Sequence, residues 1–474
     1  MSGVFTPRYI PQTMRLLDTT DPRPVHFVGI AGAGMSALAE LFVRRGVAVT
    51  GCDAVIEGAG DLQRLRVRLY EGHAPGHVAG ARALVITSAM RRDHPEVEAA
   101  RAAGIPIVRR AEALGEAVSG GTLVAVAGTH GKTTTTVMTT EALTAAGLHP
   151  TGIAGGRVGS WGGNLRYDGE GLFVVEADEY DRSFLALAPS VAVVTNVEAD
   201  HLDIYRDLAD IRQAFEAFLA PARAIVICSD DAGARSLDVS TGAQVLRYGT
   251  MAKDARVVGT PVTRGDGRTV VGVVFDGEPL GELVLRVPGV HNVRNALAAV
   301  ATGLALGAGF EAMRPGLEAF GGVERRFQRL GSAAGVEVVD DYAHHPTEVG
   351  ATIAAARSTF PSRRLVVAFQ PHLYSRTRDF AAGFAEALAA ADATFLTALY
   401  PSREQPVAGV SSALIADRMA AAGAAPVWQG GREQAATALA AFVRDGDVVL
   451  TMGAGDITRT GPELLRLLAA RSAA

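Results

Sequence analysis

The strongest constraint on this chain is a strand, glycine-turn and helix pattern that recurs along it. "VHFVGI" (25–30) runs into "AGAGMSALAELFVRRG", and "LVAVAG" (123–128) runs into "THGKTTTT". A third segment ends its last apolar run in the turn "TMGAGD" (451–456). Further apolar runs at 83–89, 105–110, 172–178, 190–197 and 224–228 are interspersed with stretches of helical period such as "HPEVEAARAAG". Strands joined in this way by helices pair in parallel, which predicts α/β domains on doubly wound sheets. Residues 240–290 break the rhythm with short apolar runs and the turns "RGDG" and "DGEP". They read as an antiparallel insertion or edge.

At roughly 150 residues per domain, 474 residues suggest about three domains. The breaks "AVSGGT" (117–122) and "GGVERRFQRLG" (321–331) place the expected domains at 1–118, 119–328 and 329–474. A net charge of −5 and a pI of about 6.1 offer no basic patch for nucleic acid or an anionic membrane. Cys52 and Cys228 are too few and too far apart for a disulfide framework, so a reducing cytoplasm is expected. The first residues lack the apolar core of a signal peptide, and no apolar run reaches the ~18–20 residues of a membrane span.

The stretch "VAVAGTHGKTTTT" (124–136) departs from the common phosphate loop G-x-x-x-x-G-K-[ST]. Counting back from Gly131 and Lys132, the first glycine should stand at 126; that residue is Val126, and the glycine is Gly128. The context still suits phosphate, because a strand runs into glycines, a lysine and threonines that open a helix. Lys132 would reach the β- and γ-phosphates of ATP and Thr133 would ligate Mg²⁺. The bland alternative is a glycine turn capping a threonine-rich helix. In "VVEADEYDRSFLALAPSVAVVTNVEADHLDIY" (174–205), Glu176 and Asp178 end one strand, and Asp200, His201 and Asp203 follow the next. Strand carboxyl ends line the ligand crevice of a parallel sheet, so these groups should converge on the loop and hold Mg²⁺. A solvated acidic loop is the alternative.

"AGAGMSA" has the dinucleotide spacing Gly32, Gly34, Ala37, with Asp53 where a ribose-binding acid would sit. Alone it would favour NAD, but such a turn binds any pyrophosphate. "DDYAHHPTE" (340–348) and "FQPHLYSRTRDF" (369–380) gather His344, His345, His372, Arg376 and Arg378, which can clamp an anion or form a plain surface cluster. In "VHNVRNA", Asn292 and Asn295 share a helix face and could read a purine edge, or Asn292 could cap the helix.

Taken together and in order, "GIAGAGMSALA", "GTHGKTTTT", "EADEYDRSF", "TNVEADHLD", "HNVRNALAA", "GGVERRFQ", "DDYAHHPTE", "FQPHLYSRTRDF" and "GAGDI" resemble the Mur ligase family over essentially the whole chain. The shortened loop is that family's form of the phosphate loop. The resemblance implies an N-terminal Rossmann-like domain for a UDP-sugar, a central P-loop ATPase-like domain and a C-terminal Rossmann-like domain that presents an amino acid. It implies ATP and Mg²⁺ as cofactors, UDP-N-acetylmuramate and L-alanine as partners, a monomer or weak homodimer, and an acyl-phosphate intermediate. The ATP-binding run would be Gly128, Thr129, His130, Gly131, Lys132, Thr133 and Thr134, with Asn292 and Asn295 on adenine and Arg326 on the γ-phosphate. Thr133, Glu176 and His201 would hold metal. Gly32, Gly34, Met35, Ser36, Asp53 and Ser88 would bind the UDP-sugar. Tyr342, His344, Arg376 and Arg378 would lie near alanine and the acyl phosphate. Some members carry Arg where this chain has Leu373, and several use a carbamoylated lysine near the metal. Here the only lysines are Lys132 and Lys253, so a metal site without that ligand is expected. A recycling ligase with a peptide acceptor, an NAD-dependent dehydrogenase and a nucleotide switch are the competing readings.

Overall fold

A computed structural model describes residues 15–473 except 88–89, 92, 240–241, 264–267 and 403. Its strands form three sheets that follow one another along the chain. The first has five parallel strands in the order Arg68–Glu71, Val49–Asp53, Val25–Val28, Ala83–Ile86, Ile107–Arg109. The chain reverses its direction of winding at Val25–Val28, and all four residues of that strand are buried. The glycine turn after it therefore opens at the switch point where such sheets bind ligands.

The second sheet has ten strands. Thr122–Ala127 lies between Val191–Val194 and Leu172–Glu176, parallel to both. Its carboxyl end turns through Gly131 (φ 79°) into the helix Lys132–Ala145. Outward on one side come Thr151–Val158 and Gly163–Arg166; on the other come Ala224–Cys228 and Gln244–Gly249. The segment expected to be an antiparallel insertion or edge is the edge of this sheet, antiparallel in its outer part. Gln244–Gly249 and Val257–Thr263 pair in parallel, and Thr269–Phe275 runs antiparallel to both of its neighbours, Val257–Thr263 and Glu278–Leu285. The short helix Ala232–Arg235 lies in the crossover between Ala224–Cys228 and Gln244–Gly249, which pair in parallel. The third sheet runs Gln328–Ala333, Val336–Asp341, Val448–Met452, Leu365–Phe369, Ala393–Thr397, Trp428–Gly430, with the first strand antiparallel and the rest parallel.

The cores divide the molecule differently from the sheets. One apolar cluster runs without a break from Leu16 through Phe42 and Leu114 to Phe173, Phe215 and Leu237. It joins the first sheet's helices to one face of the second sheet, and the helix Ala33–Arg44 packs on strands Thr151–Val158 and Gly163–Arg166. The third sheet has its own clusters on its two faces. Among the described residues, no helix is long and apolar enough to cross a membrane.

Candidate active site

The loop owes its shape to two glycines. A Cβ on Gly128 (φ 138°) would fall 2.0 Å from Thr195 Oγ1, and one on Gly131 would fall 2.8 Å from Asn295 Oδ1. Neither position accepts a side chain. Lys132 folds back over the loop, donating to Gly128 O (2.7 Å), Thr129 O (3.2 Å) and Glu179 Oε1 (3.0 Å). Burial disfavours the Lys132 ammonium, but the carboxylates of Glu179, Asp178 and Glu176 outweigh it and raise its pKa.

Lys132 opens into a cavity of about 520 Å³. Thr133, Glu176 and His201 line it from the central sheet, and Tyr342, His344 and Arg376 line it from the third. Gly155 and Gly156 run past Glu176 and Thr133: a Cβ on the first would meet the Glu176 carboxylate at 2.6 Å, and one on the second would meet Thr133 Cγ2 at 3.3 Å. Gly155 N–H also donates to Glu176 Oε2 at 2.6 Å. The glycine pair thus holds two oxygen donors beside the loop, a set that suits Mg²⁺. His201 has φ 52°, and its Nε2 stands 3.6 Å from Glu179 Oε1 and 3.7 Å from Asp200 Oδ2.

The third sheet closes on these groups through charge. Arg376 forks onto Asp200, with Nη2 at 2.8 and 3.0 Å from the two oxygens and Nε at 3.2 Å from Oδ1. Both side chains are buried. Burial opposes the Asp200 charge, yet Arg376 and the neighbouring histidines hold its pKa far below the carboxylate range. His130 lies between Glu348 Oε1 (3.3 Å) and Glu198 Oε2 (3.5 Å). Burial would lower its pKa, but the two carboxylates push it up to about 9. Thr347 Oγ1 donates to Glu198 Oε2 at 2.7 Å. His344 Nδ1 is 3.0 Å from Tyr342 O; a carbonyl only accepts, so Nδ1 carries the proton and Nε2 keeps its lone pair. Burial lowers the His344 pKa to about 4 despite Glu348.

Beside this cavity is a second of about 220 Å³, lined by Thr134, Tyr248, Asn292, Asn295 and Phe320, with His130, Gly131 and Arg326 on the wall common to both. The two amides bond to each other (Asn295 Nδ2 to Asn292 Oδ1, 3.2 Å), and Asn292 Nδ2 donates to Pro288 O (2.7 Å). The helix starts from Gly289, so Asn292 is not its cap residue. A third cavity of about 280 Å³ carries Gly32, Gly34, Met35 and Arg110, and meets the first along Gly155, Glu176 and Asp178. Asp53 Oδ2 accepts Ala31 N–H at 3.0 Å and closes that glycine turn.

Some expected residues are not gathered in. Arg378 is exposed and bonded to its neighbour Asp379 (2.7 Å), because one step beyond Thr377 turns it away from the helix face that carries Arg376. Ser36 Oγ is spent on Ala33 O (3.0 Å). Ser88 lies outside the described residues. Asp203 is exposed, and His345 packs between the His130 and Phe380 rings rather than on the cavity wall. Lys253 is exposed and lines none of the three cavities. Three residues were missed: Glu179, Glu348 and Arg110. Glu179 is the third acid of "EADEY" and could have been found from that spacing. Glu348 was hidden because it also closes the capping box of helix Pro346–Thr359. Arg110 lies against Gly34, where a Cβ would meet its Nη1 at 2.9 Å.

A phosphate loop whose lysine faces a metal-type carboxylate, with an arginine and a histidine delivered by another sheet, defines a nucleotide-using α/β enzyme with a multidomain site. Residues 24–122 match the profile of the Mur ligase family catalytic domain, 126–303 that of the Mur ligase middle domain and 325–455 that of the Mur ligase glutamate ligase domain. The chain is 48% identical to a UDP-N-acetylmuramate–L-alanine ligase of Kineococcus radiotolerans, over 94% of this chain and 96% of the relative. It is 47% identical to the protein of the same name from an Arthrobacter species, over 94% and 96%. The crystal structure of the UDP-N-acetylmuramate-alanine ligase of Thermotoga maritima superposes with a TM-score of 0.81 at 29% identity, covering 95% of this chain and 100% of that one. The chain belongs to the Mur ligase family.

Proposed function

We propose that this protein joins L-alanine to the lactyl carboxylate of UDP-N-acetylmuramate with ATP, giving ADP and phosphate, as a step of peptidoglycan precursor synthesis. The observation that carries the reading is the shared wall of the 520 Å³ cavity, where Lys132, Glu176 and His201 face Tyr342, His344 and Arg376. The names of the relatives supply the substrates. In this reading residues 1–118 hold the UDP-sugar, 119–328 the nucleotide and 329–474 the amino acid.

A carboxylate is a poor electrophile, so the γ-phosphoryl group is first transferred to it, giving an acyl phosphate and ADP. The alanine amine then attacks the acyl carbon, and the tetrahedral intermediate expels phosphate. Lys132 releases Glu179 and turns to the phosphates. Thr133, Glu176 and His201 would hold Mg²⁺, which would supply charge neutralisation on the phosphoryl oxygens. Arg326, on the wall between the nucleotide pocket and the reaction cavity, steadies the γ-phosphate. Arg376, fixed by its fork onto Asp200, holds positive charge at the cavity wall beside the anionic end of the reacting groups. His344, neutral at physiological pH with Nε2 free, accepts the proton that the amine loses. Closure of the third sheet over the cavity keeps water from the acyl phosphate.

The test is phosphate release from ATP with UDP-N-acetylmuramate and each amino acid in turn, together with a tripeptide. Release with L-alanine far above every other acceptor supports the reading. Preference for the tripeptide would assign the chain to peptide recycling instead.

A further inference from the structure

The face of the first sheet covered by helix Pro95–Ala102 holds a cluster that the ligase chemistry does not use. Four of the eleven histidines, His26, His73, His77 and His94, gather there around Cys52 and Glu96. None of them lines the three cavities described above. His26, Cys52 and Glu96 are wholly buried.

Cys52 S–H donates to Glu96 Oε2 at 2.9 Å, and His73 Nδ1 is 3.3 Å from the same sulfur. His26 Nε2 stands 3.9 Å from Glu96 Oε2. One donor atom each from His26, Cys52 and Glu96 lies within 4.8 Å of the others. Around a tetrahedral zinc ion with bonds of about 2.0–2.3 Å, ligand atoms stand roughly 3.3–3.6 Å apart, so small shifts suffice.

A separate observation points the same way. His26 Nε2 is buried and makes no hydrogen bond. Its other nitrogen is 2.8 Å from Thr50 Oγ1. With Nδ1–H donated to that hydroxyl, Nε2 turns a lone pair into the cluster, the arrangement that orients a metal-binding imidazole. The second Glu96 oxygen is likewise fixed, by Ala74 N–H (3.1 Å) and His77 Nδ1 (2.8 Å), and His77 stacks on Tyr70.

We propose that this cluster is a structural site for a divalent transition metal of zinc type, with His26 Nε2, Cys52 Sγ and Glu96 Oε2 as ligands and His73 Nδ1, 3.3 Å from the sulfur and 3.9 Å from Glu96 Oε1, turning in as the fourth. Binding displaces the Cys52 thiol proton to solvent. Thiolate and carboxylate then neutralise the dication, and the two imidazoles bind as neutral ligands. Four protein ligands leave no open position, so the metal staples strands Val25–Val28 and Val49–Asp53 to helix Pro95–Ala102 and takes no part in catalysis. The thiolate selects zinc-type ions over Mg²⁺, which keeps this site separate from the phosphate loop.

The test uses the full chain, stripped with chelator and titrated with Co²⁺. The expected result is a thiolate-to-cobalt charge-transfer band that saturates at one equivalent, survives excess Mg²⁺ and is displaced by Zn²⁺. Cys52→Ser should abolish the band, Cys228→Ser should keep it, and Glu96→Gln should weaken Zn²⁺ binding at least ~10-fold. If Cys52→Ser melts early, His26→Asn and Glu96→Gln decide, and undiminished Zn²⁺ affinity in both overturns the site. No band in the wild-type chain, or a band lost with Cys228→Ser instead, also overturns it.

Discussion

The central sheet meets its two neighbours in opposite ways. Toward the first sheet the boundary is apolar: one cluster of buried side chains passes from Leu38 and Phe42 to Ile153, Leu165 and Phe173. Toward the third sheet the described contacts include Arg376 with Asp200, His130 with Glu348, Thr347 with Glu198 and His345 with Glu198. An apolar boundary cannot open without exposing that surface to water, whereas charged groups are solvated when they part. The expectation that follows is that the first two sheets move as one body and that the third closes on them. Polar bonds also cross the apolar boundary, such as Arg157 to Asp61 at 2.6 Å, where the Arg157 side chain is partly exposed.

The largest effect should come from the loop. Lys132→Ala should lower alanine-dependent phosphate release at least ~100-fold, with UDP-N-acetylmuramate affinity by calorimetry nearly unchanged. Loss of sugar binding in a folded variant would mean that the 280 Å³ cavity at Gly32 and Gly34 and the loop do not act as separate sites. Next comes a matched pair of truncations. Arg376→Ala leaves Asp200 buried and unpaired, a penalty of about 3–5 kcal/mol on the closed arrangement; it should cut turnover sharply without lowering the melting transition of the first two sheets. Asp61→Ala breaks partly exposed pairs with Arg157 and Arg64, each worth roughly 1 kcal/mol or less, and should leave turnover within a few-fold. Equal losses in the two variants would erase the contrast between the boundaries.

A smaller effect is set by pH. His130 has a pKa of about 9 in the closed form, above the ordinary histidine value. Its contribution to closure is therefore full below about 6.5 and is lost as pH rises through about 9. Limited proteolysis of the unliganded protein should show the third sheet released more readily across that interval, and His130→Gln should flatten the profile. The smallest effect belongs to Arg378. It faces solvent beside Asp379, so Arg378→Ala should alter turnover by less than about twofold in the phosphate-release assay.

Much of the site could be read in advance because its residues stand at strand ends or in glycine turns, where one-dimensional spacing maps onto position. Lys132, Glu176 and His201 are of this kind. The apolar boundary could not be read. Strand Thr151–Val158 has the sequence "TGIAGGRV", which neither alternates nor runs apolar, so nothing marked it as a strand or showed that helix Ala33–Arg44 would lie on it. Glu179 and Glu348 were obscured for a different reason. Each serves the local backbone or the resting lysine as well as the site, and its role depends on which groups the fold brings opposite it. Arg376 and Arg378 are two residues apart and similar in sequence context; only the phase of the helix Tyr374–Leu388 separates a buried fork from a surface charge.

The most direct test places one label pair across each boundary and measures both distances in solution. One pair spans the first and second sheets, and the other spans the second and third. The unliganded protein is compared with the protein bound to a non-hydrolysable ATP analogue and UDP-N-acetylmuramate. The account predicts an unchanged first distance and a second that shortens and narrows to a single population. A first distance that moves as much as the second, or a second that does not respond to ligands, would contradict it.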